Sequence, residues 1–158
     1  LSAESLVDIS VLAAEKVRCF GLQPNIALIS FSDFGSDDAE SSCEARRAVA
    51  LLHERYPDLS VDGEMQIQTA LQLAQRDAKY PQNKLKGKQV NVLVFPRLSA
   101  ANACYQLLKA VGNADEVVGP IQVGLARPIY FADHDASVKD IVNITAMASL
   151  DSNACIVG

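Results

Sequence analysis

An α/β sandwich built on a mostly parallel sheet is the fold predicted here, and three observations carry it. Short, nearly continuous apolar runs of strand length recur, the clearest being Val90-Asn91-Val92-Leu93-Val94-Phe95 and Ile26-Ala27-Leu28-Ile29-Ser30-Phe31. A run of that kind suits a strand covered on both faces, where no side is left to be polar. Stretches with helical spacing alternate with these runs along the chain. Such alternation predicts a three-layer α/β/α arrangement with crossover helices. The third observation is length: 158 residues allow one domain with a real core and are too few for two large ones.

Leu6, Ile9, Leu12, Ala13, Val17 and Phe20 recur at helical spacing, and Gly21 closes that run as a C-terminal cap. Pro24 leads into the strand over 26–31, and a polar loop follows over 32–36. A helix is expected over 37–55, with Asp37 and Glu40 spaced as a capping box. Pro57-Asp58-Leu59 is a turn, and a short strand is expected over 60–62. The periodicity over 65–79 predicts one helix, ended by Tyr80-Pro81. After a loop over 83–88 comes the strand over 90–95, a turn at 96–99 and a helix over 100–111. Val117-Val118 and Ile121-Gln122-Val123 are short and apolar, split by Gly119-Pro120; one more strand is expected over 128–131 and a last helix over 137–150.

Composition excludes several classes. The formal net charge is -5 and cations are mixed among anions, so no basic stripe offers itself to nucleic acid. No apolar run reaches membrane-span length. The four cysteines, Cys19, Cys43, Cys104 and Cys155, are scattered without a C-x-x-C pair, so no metal cluster is expected. They are expected to be free, mostly buried thiols in a reducing cytoplasm. The chain opens inside an amphipathic pattern at Leu1 with no initiator Met, which leads us to expect a piece of a longer protein.

In parallel sheets ligands gather at the carboxyl ends of strands. Ser32 to Ser36 there offers hydroxyls and a glycine before a helix N-terminus, where an anion is favoured; Ser36 or Asp37 acting only as a cap is the competing reading. Asp62-Gly63-Glu64 pairs two carboxylates that could share acid and base roles, but the glycine reads better as a turn. Arg97 could grip a phosphate or lie solvated on the surface. Asp133-His134-Asp135 could bind a metal or act as a base, but reads better as plain surface, and His53 reads as surface. Ser137 and Asp140 have capping-box spacing, which by itself accounts for Asp140.

Taken in order, several segments resemble the phosphate acetyl/butyryltransferase family: Ile26 to Ser32 with Gly35-Ser36, Val61-Asp62-Gly63-Glu64-Met65-Gln66, Leu85-Lys86-Gly87, Asn91 to Pro96, Ala101-Asn102, Gly119-Pro120-Ile121 and Asp140-Ile141-Val142-Asn143. The resemblance implies two α/β lobes with CoA and an acyl phosphate in the cleft between them. It also implies that residues 1–158 form the C-terminal lobe of such a domain, in a homo-oligomer that is at least a dimer. Ser32, Gly35, Ser36, Arg97, Asn102, Gly119 and Pro120 fall at its ligand-binding positions, although Arg97 departs from the aspartate that the family usually carries after Phe-Pro. Asp33-Phe34-Gly35-Ser36, Asp62-Gly63-Glu64-Met65-Gln66 and Ala100-Ala101-Asn102 resemble the branch fused to bacterial malic enzymes.

One loop departs from the active transferases, which carry Ser-Arg-Gly before the Asp-Ile-Val motif. Asp133, His134 and Asp135 stand there, and only Asp140 of the catalytic set is kept. Losing a cation and a neutral hydroxyl removes the partner of a developing oxyanion. The expectation is therefore a lobe inactive in acyl transfer that senses acetyl-CoA or CoA and regulates malic enzyme domains upstream. Those absent domains would hold NADP and a divalent metal, and this chain itself would hold no metal. An active phosphate acetyl/butyryltransferase, with His134 as base and Arg97 supplying charge, is the alternative, and a purely structural dimerisation lobe is a third reading.

Overall fold

The computed structural model describes residues 1–112, 119–125, 127, 129–132, 134 and 136–154. The chain divides into two compact units, Leu1–Cys104 and Tyr105–Gly158. The first is a three-layer α/β/α unit around a three-stranded sheet of order β2-β1-β3. Its strands are β1 (Asn25–Ile29), β2 (Ser60–Met65) and β3 (Val92–Val94), and β1 pairs in parallel with both neighbours. Alternate residues of β1 face opposite sides, as the two-residue period of a strand requires. Ile26 and Leu28 pack with Leu6 and Val7 of α1 (Ala3–Cys19) and Ala48 and Leu52 of α2 (Glu40–Arg55). Ala27 and Ile29 pack on the other face with Met65, Leu85, Val90 and Ala70 of α3 (Ile67–Leu71). Burial on both faces is the physical reason β1 reads as a continuous apolar run.

Helix α1 begins at the cap Ser2, whose side chain accepts from Ser5 N–H. It ends as expected at Gly21, which takes φ +73° while Leu22 N–H donates to the Val17 carbonyl. Its buried stripe differs from the predicted one. Ala3, Leu6, Val7, Ser10 and Ala14 face the core, while Ile9 and Phe20 are exposed. Small residues let the helix lie close to its neighbours, and the buried Ser10 hydroxyl is satisfied by the Leu6 carbonyl at 2.7 Å.

Helix α2 starts three residues later than the sequence suggests, and Asp37 and Glu40 form no capping box. Asp37 is held in the preceding loop: its N–H donates to Ser32 Oγ, and its carbonyl accepts from Arg46 Nη1 at 2.9 Å. The single helix expected over 65–79 is two. Met65 closes β2, then α3 is followed by α4 (Leu73–Lys79), with Gln72 between them at φ -94°, ψ 80°. The Ala70 carbonyl beside the break accepts instead from the buried Arg76 guanidinium at 3.1 Å. His53 is half-buried rather than plain surface, its Nε2 2.8 Å from the Val61 carbonyl. That distance places the proton on Nε2, because a carbonyl can only accept.

The chain enters the second unit within α5 (Leu98–Val111). That unit also holds α6 (Val138–Ala154), and a lone antiparallel bridge joins Ile121 to Tyr130 where short strands were expected. Val117, Val118, Pro128 and Cys155 lie outside the described residues. The three described cysteines are free, but none is buried: Cys19 is exposed past the buried stripe of α1, and Cys43 and Cys104 are partly covered. Among the described residues no helix is long and apolar enough to cross a membrane.

Candidate functional site

A cleft of about 720 Å³ opens at the carboxyl ends of β1 and β3, where the fold class places ligands. Ile29, Phe31, Ile67, Phe95, Pro96 and Ala100 make most of it apolar. Ser30, Ser41, Gln66, Gln68, Arg97 and Cys104 add polar atoms. Arg97 is the one cation in the lining, exposed, and without an ion-pair partner among the described residues. Asn102, one turn further along α5, is exposed and outside this lining.

The 32–36 loop leaves β1 beside the cleft, and its donors are already engaged. Ser32 is buried, and its Oγ donates to Glu64 Oε1 at 2.7 Å. Gly35 N–H donates to the same oxygen at 2.9 Å, and Arg46 Nη1 does so at 3.0 Å. Ser36 Oγ accepts from Asp33 N–H at 3.0 Å and lies 3.1 Å from Ser32 Oγ. Ser32, Gly35 and Ser36 are thus brought together around a carboxylate of the chain itself. Glu64 reaches them because the β1–β2 register steps from Leu28–Gly63 to Ile29–Met65 and passes it over. Asp62, two residues earlier, takes other partners, the N–H groups of Gly63 and Lys84. The two carboxylates therefore do not form an acid–base pair, and Gly63 lies within β2 rather than in a turn.

The same loop is tied to the cleft wall. Gln66 N–H donates to Asp33 Oδ1 at 2.9 Å, and Gln66 Nε2 donates to the Phe31 carbonyl at 2.8 Å. Nothing local in the sequence announces Glu64, Arg46 or Gln66 as partners of this loop. Only their place in the Asp-Gly-Glu-Met-Gln run and on the following helix is visible there.

In the second unit, Gly119 takes φ +140° and its carbonyl accepts from the Tyr105 hydroxyl at 3.3 Å. Pro120 and His134 are exposed, and Asp133 and Asp135 lie outside the described residues. Asp140 forms the predicted capping box: its Oδ2 accepts from Ser137 Oγ at 2.7 Å and Ser137 N–H at 2.9 Å, while Asp140 N–H donates back at 3.2 Å. The Ser137 hydroxyl first, and its N–H second, hold the Asp140 carboxyl below the usual carboxylate value. A depressed folded-state pKa means that the cap's contribution is present above the unfolded value and is lost as pH falls through the folded one. Acid titration followed by amide exchange is expected to leave the first turn of α6 protected at about pH 4, the unfolded aspartate value. Fraying already at that pH would contradict the box.

The sequence profile for phosphate acetyl/butaryl transferase matches residues 2–149. An NADP-dependent malic enzyme of Escherichia coli strain K12 is 43% identical over 150 residues, which are 95% of this chain and 20% of that protein. A phosphate acetyltransferase of Treponema pallidum is 41% identical over 155 residues, 96% of this chain and 46% of that protein. The EutD phosphotransacetylase from Staphylococcus aureus superposes with a TM-score of 0.86 at 30% identity, covering 95% of this chain and 46% of that one. A phosphotransacetylase from Streptococcus pyogenes gives 0.88 at 30% identity, covering 98% and 46%. The chain thus spans a fifth of the malic enzyme and just under half of the transferases. With the profile matched almost end to end and both structures superposing over nearly the whole chain, it belongs to the phosphate acetyl/butaryl transferase family.

Proposed function

We propose that this chain is the acyl-CoA-sensing and dimer-forming lobe of a cytoplasmic malic enzyme, itself inactive in acyl transfer. The observation that carries the reading is the state of Asp140. It is the retained member of the family's catalytic set, and its carboxylate is engaged in capping α6. The Ser-Arg pair that would act with it is replaced by Asp133 and His134. The cleft suits the apolar arm and acyl group of a thioester, and Arg97 offers a charge for a phosphate. Malate decarboxylation, NADP and a divalent metal belong, on this reading, to domains upstream.

Sensing requires the effector to bind two states of the whole protein with different affinity. The test uses the intact protein that contains this chain. Acetyl-CoA is expected to change malate-dependent NADP reduction saturably, and acetyl phosphate with CoA is expected to yield no protein-dependent acetyl-CoA. Rapid acetyl-CoA formation would instead make it a working transferase. Absence of both acetyl-CoA binding and turnover would leave a dimerisation lobe.

A further inference from the structure

The 32–36 loop has the features of an anion site, yet its anion is part of the chain. Phe34 and Gly35 take successive positive φ values, +46° and +88°, and both N–H groups point at Glu64, Phe34 donating to its carbonyl at 2.8 Å and Gly35 to its carboxylate at 2.9 Å. Glu64 has no solvent exposure, and its Oε1 collects the Ser32 hydroxyl, Gly35 N–H and Arg46 Nη1. The other oxygen, Oε2, is buried without a partner. A buried carboxylate with one bare oxygen is costly unless the bonds to the other are strong, and charge-assisted bonds from a guanidinium and two further donors are of that kind. Arg46 completes the closure by also binding the Asp37 carbonyl and Asp38, each at 2.9 Å.

We propose that Glu64 is the resident anion of the 32–36 loop, a positioning residue that fixes the loop beside the cleft and bars external phosphate from it. Ser32 and Gly35 then act on a ligand through the shape of the loop and not by contact. The ligand's phosphates must find their charge elsewhere. The effect on affinity rests on the reading of the cleft as an acyl-CoA site, whereas the resident-anion claim does not.

The test compares wild type with Glu64→Ala in the intact protein. Loop exchange is read at the Gly35 and Asp37 amides, with sodium acetate or inorganic phosphate added against sodium chloride of equal ionic strength. In the alanine variant these amides are expected to exchange faster, and acetate is expected to restore protection saturably by filling the vacated place. Wild type is expected to respond to neither anion. Acetyl-CoA affinity should fall at least roughly ten-fold in the variant and recover in part with acetate.

Unchanged exchange in the variant, or acetate acting no better than chloride, would overturn the proposal. So would protection of the wild-type loop by phosphate, or unaltered acetyl-CoA affinity in a variant whose loop has loosened. If wild type binds no acetyl-CoA, the acyl-CoA reading fails while exchange and acetate rescue still decide the resident anion. Should the alanine variant not fold, Glu64→Gln keeps the shape and removes the charge. Faster exchange at Gly35 and Asp37 is then expected, and wild-type exchange rejects the proposal.

Discussion

Gly63→Ala is expected to destabilise the protein by about 3–5 kcal/mol, the sum of backbone strain and overpacking. An added Cβ would lie 2.7 Å from the Leu28 carbonyl oxygen, 3.1 Å from Leu28 Cβ and 3.2 Å from Leu28 N. Leu28 cannot retreat. It is 1% exposed, it sits on the central strand, and it pairs with Val94 on the far side. The backbone at Gly63 also has φ +147°, a region that side chains rarely enter. Gly21→Ala is the control, because its φ is +73° with nothing within 4 Å of the added carbon. Strain alone should cost it about 1 kcal/mol. Urea unfolding of both variants checks the difference. Equal midpoints would mean that close approach of the strands plays no part at Gly63. A single domain has roughly 5–15 kcal/mol in all, so poor soluble yield of Gly63→Ala is part of the expected result.

In the sequence Gly63 reads as a turn, whereas in the structure it lies within β2. Asp62-Gly63-Glu64 looks local, but its meaning depends on which strand passes beside it. The elements that were legible are those whose cause is local or periodic. Ile26 to Ile29 announced a doubly covered strand by their own apolarity, and Ser137 and Asp140 announced their capping box by a three-residue spacing. What was not legible depends on partners far away in sequence. Glu64 meets Ser32 and Gly35 across 32 and 29 residues. The loop's hydroxyls and glycine suit an anion, but nothing in the order of residues says the anion is internal. Helix α1 carries the same lesson on a smaller scale. Hydrophobicity selected Ile9 and Phe20, whereas close packing selected Ser10 and Ala14.

Arg76→Met is expected to cost about 3–5 kcal/mol, because it removes the donors of a buried, charge-assisted network. Arg76 is 1% exposed, and its guanidinium serves four acceptors. Nη1 donates to the Ala70 carbonyl at 3.1 Å; Nη2 donates to the Leu85 and Lys88 carbonyls, both at 2.8 Å; Nε meets Asp77 Oδ1 at 3.2 Å. Methionine fills much of the volume but donates nothing, so three carbonyls lose a donor at once, and only that of Leu85 keeps another, the Lys88 N–H at 2.9 Å. Arg76→Lys should fall between the two, since one ammonium cannot span the α3–α4 break and the 85–88 loop together. Asp77 will not rescue the site. Its carboxyl is held low first by Gly87 N–H and then by Asn83 and Arg76, so it stays charged without the guanidinium. Urea unfolding checks the cost, and amide exchange at Lys88 and Gln72 checks its location. An effect below about 1 kcal/mol would mean that water replaces the guanidinium freely. The consequence reaches the cleft. Helix α3 carries Ile67 and Gln68 in the cleft wall, and where that helix ends Arg76 supplies the donor of the Ala70 carbonyl, as Gln89 does for Leu71. If the cleft is the proposed acyl-CoA site, loss of acetyl-CoA affinity in Arg76→Met, in proportion to the loosening of α3, is the expected companion of the stability change.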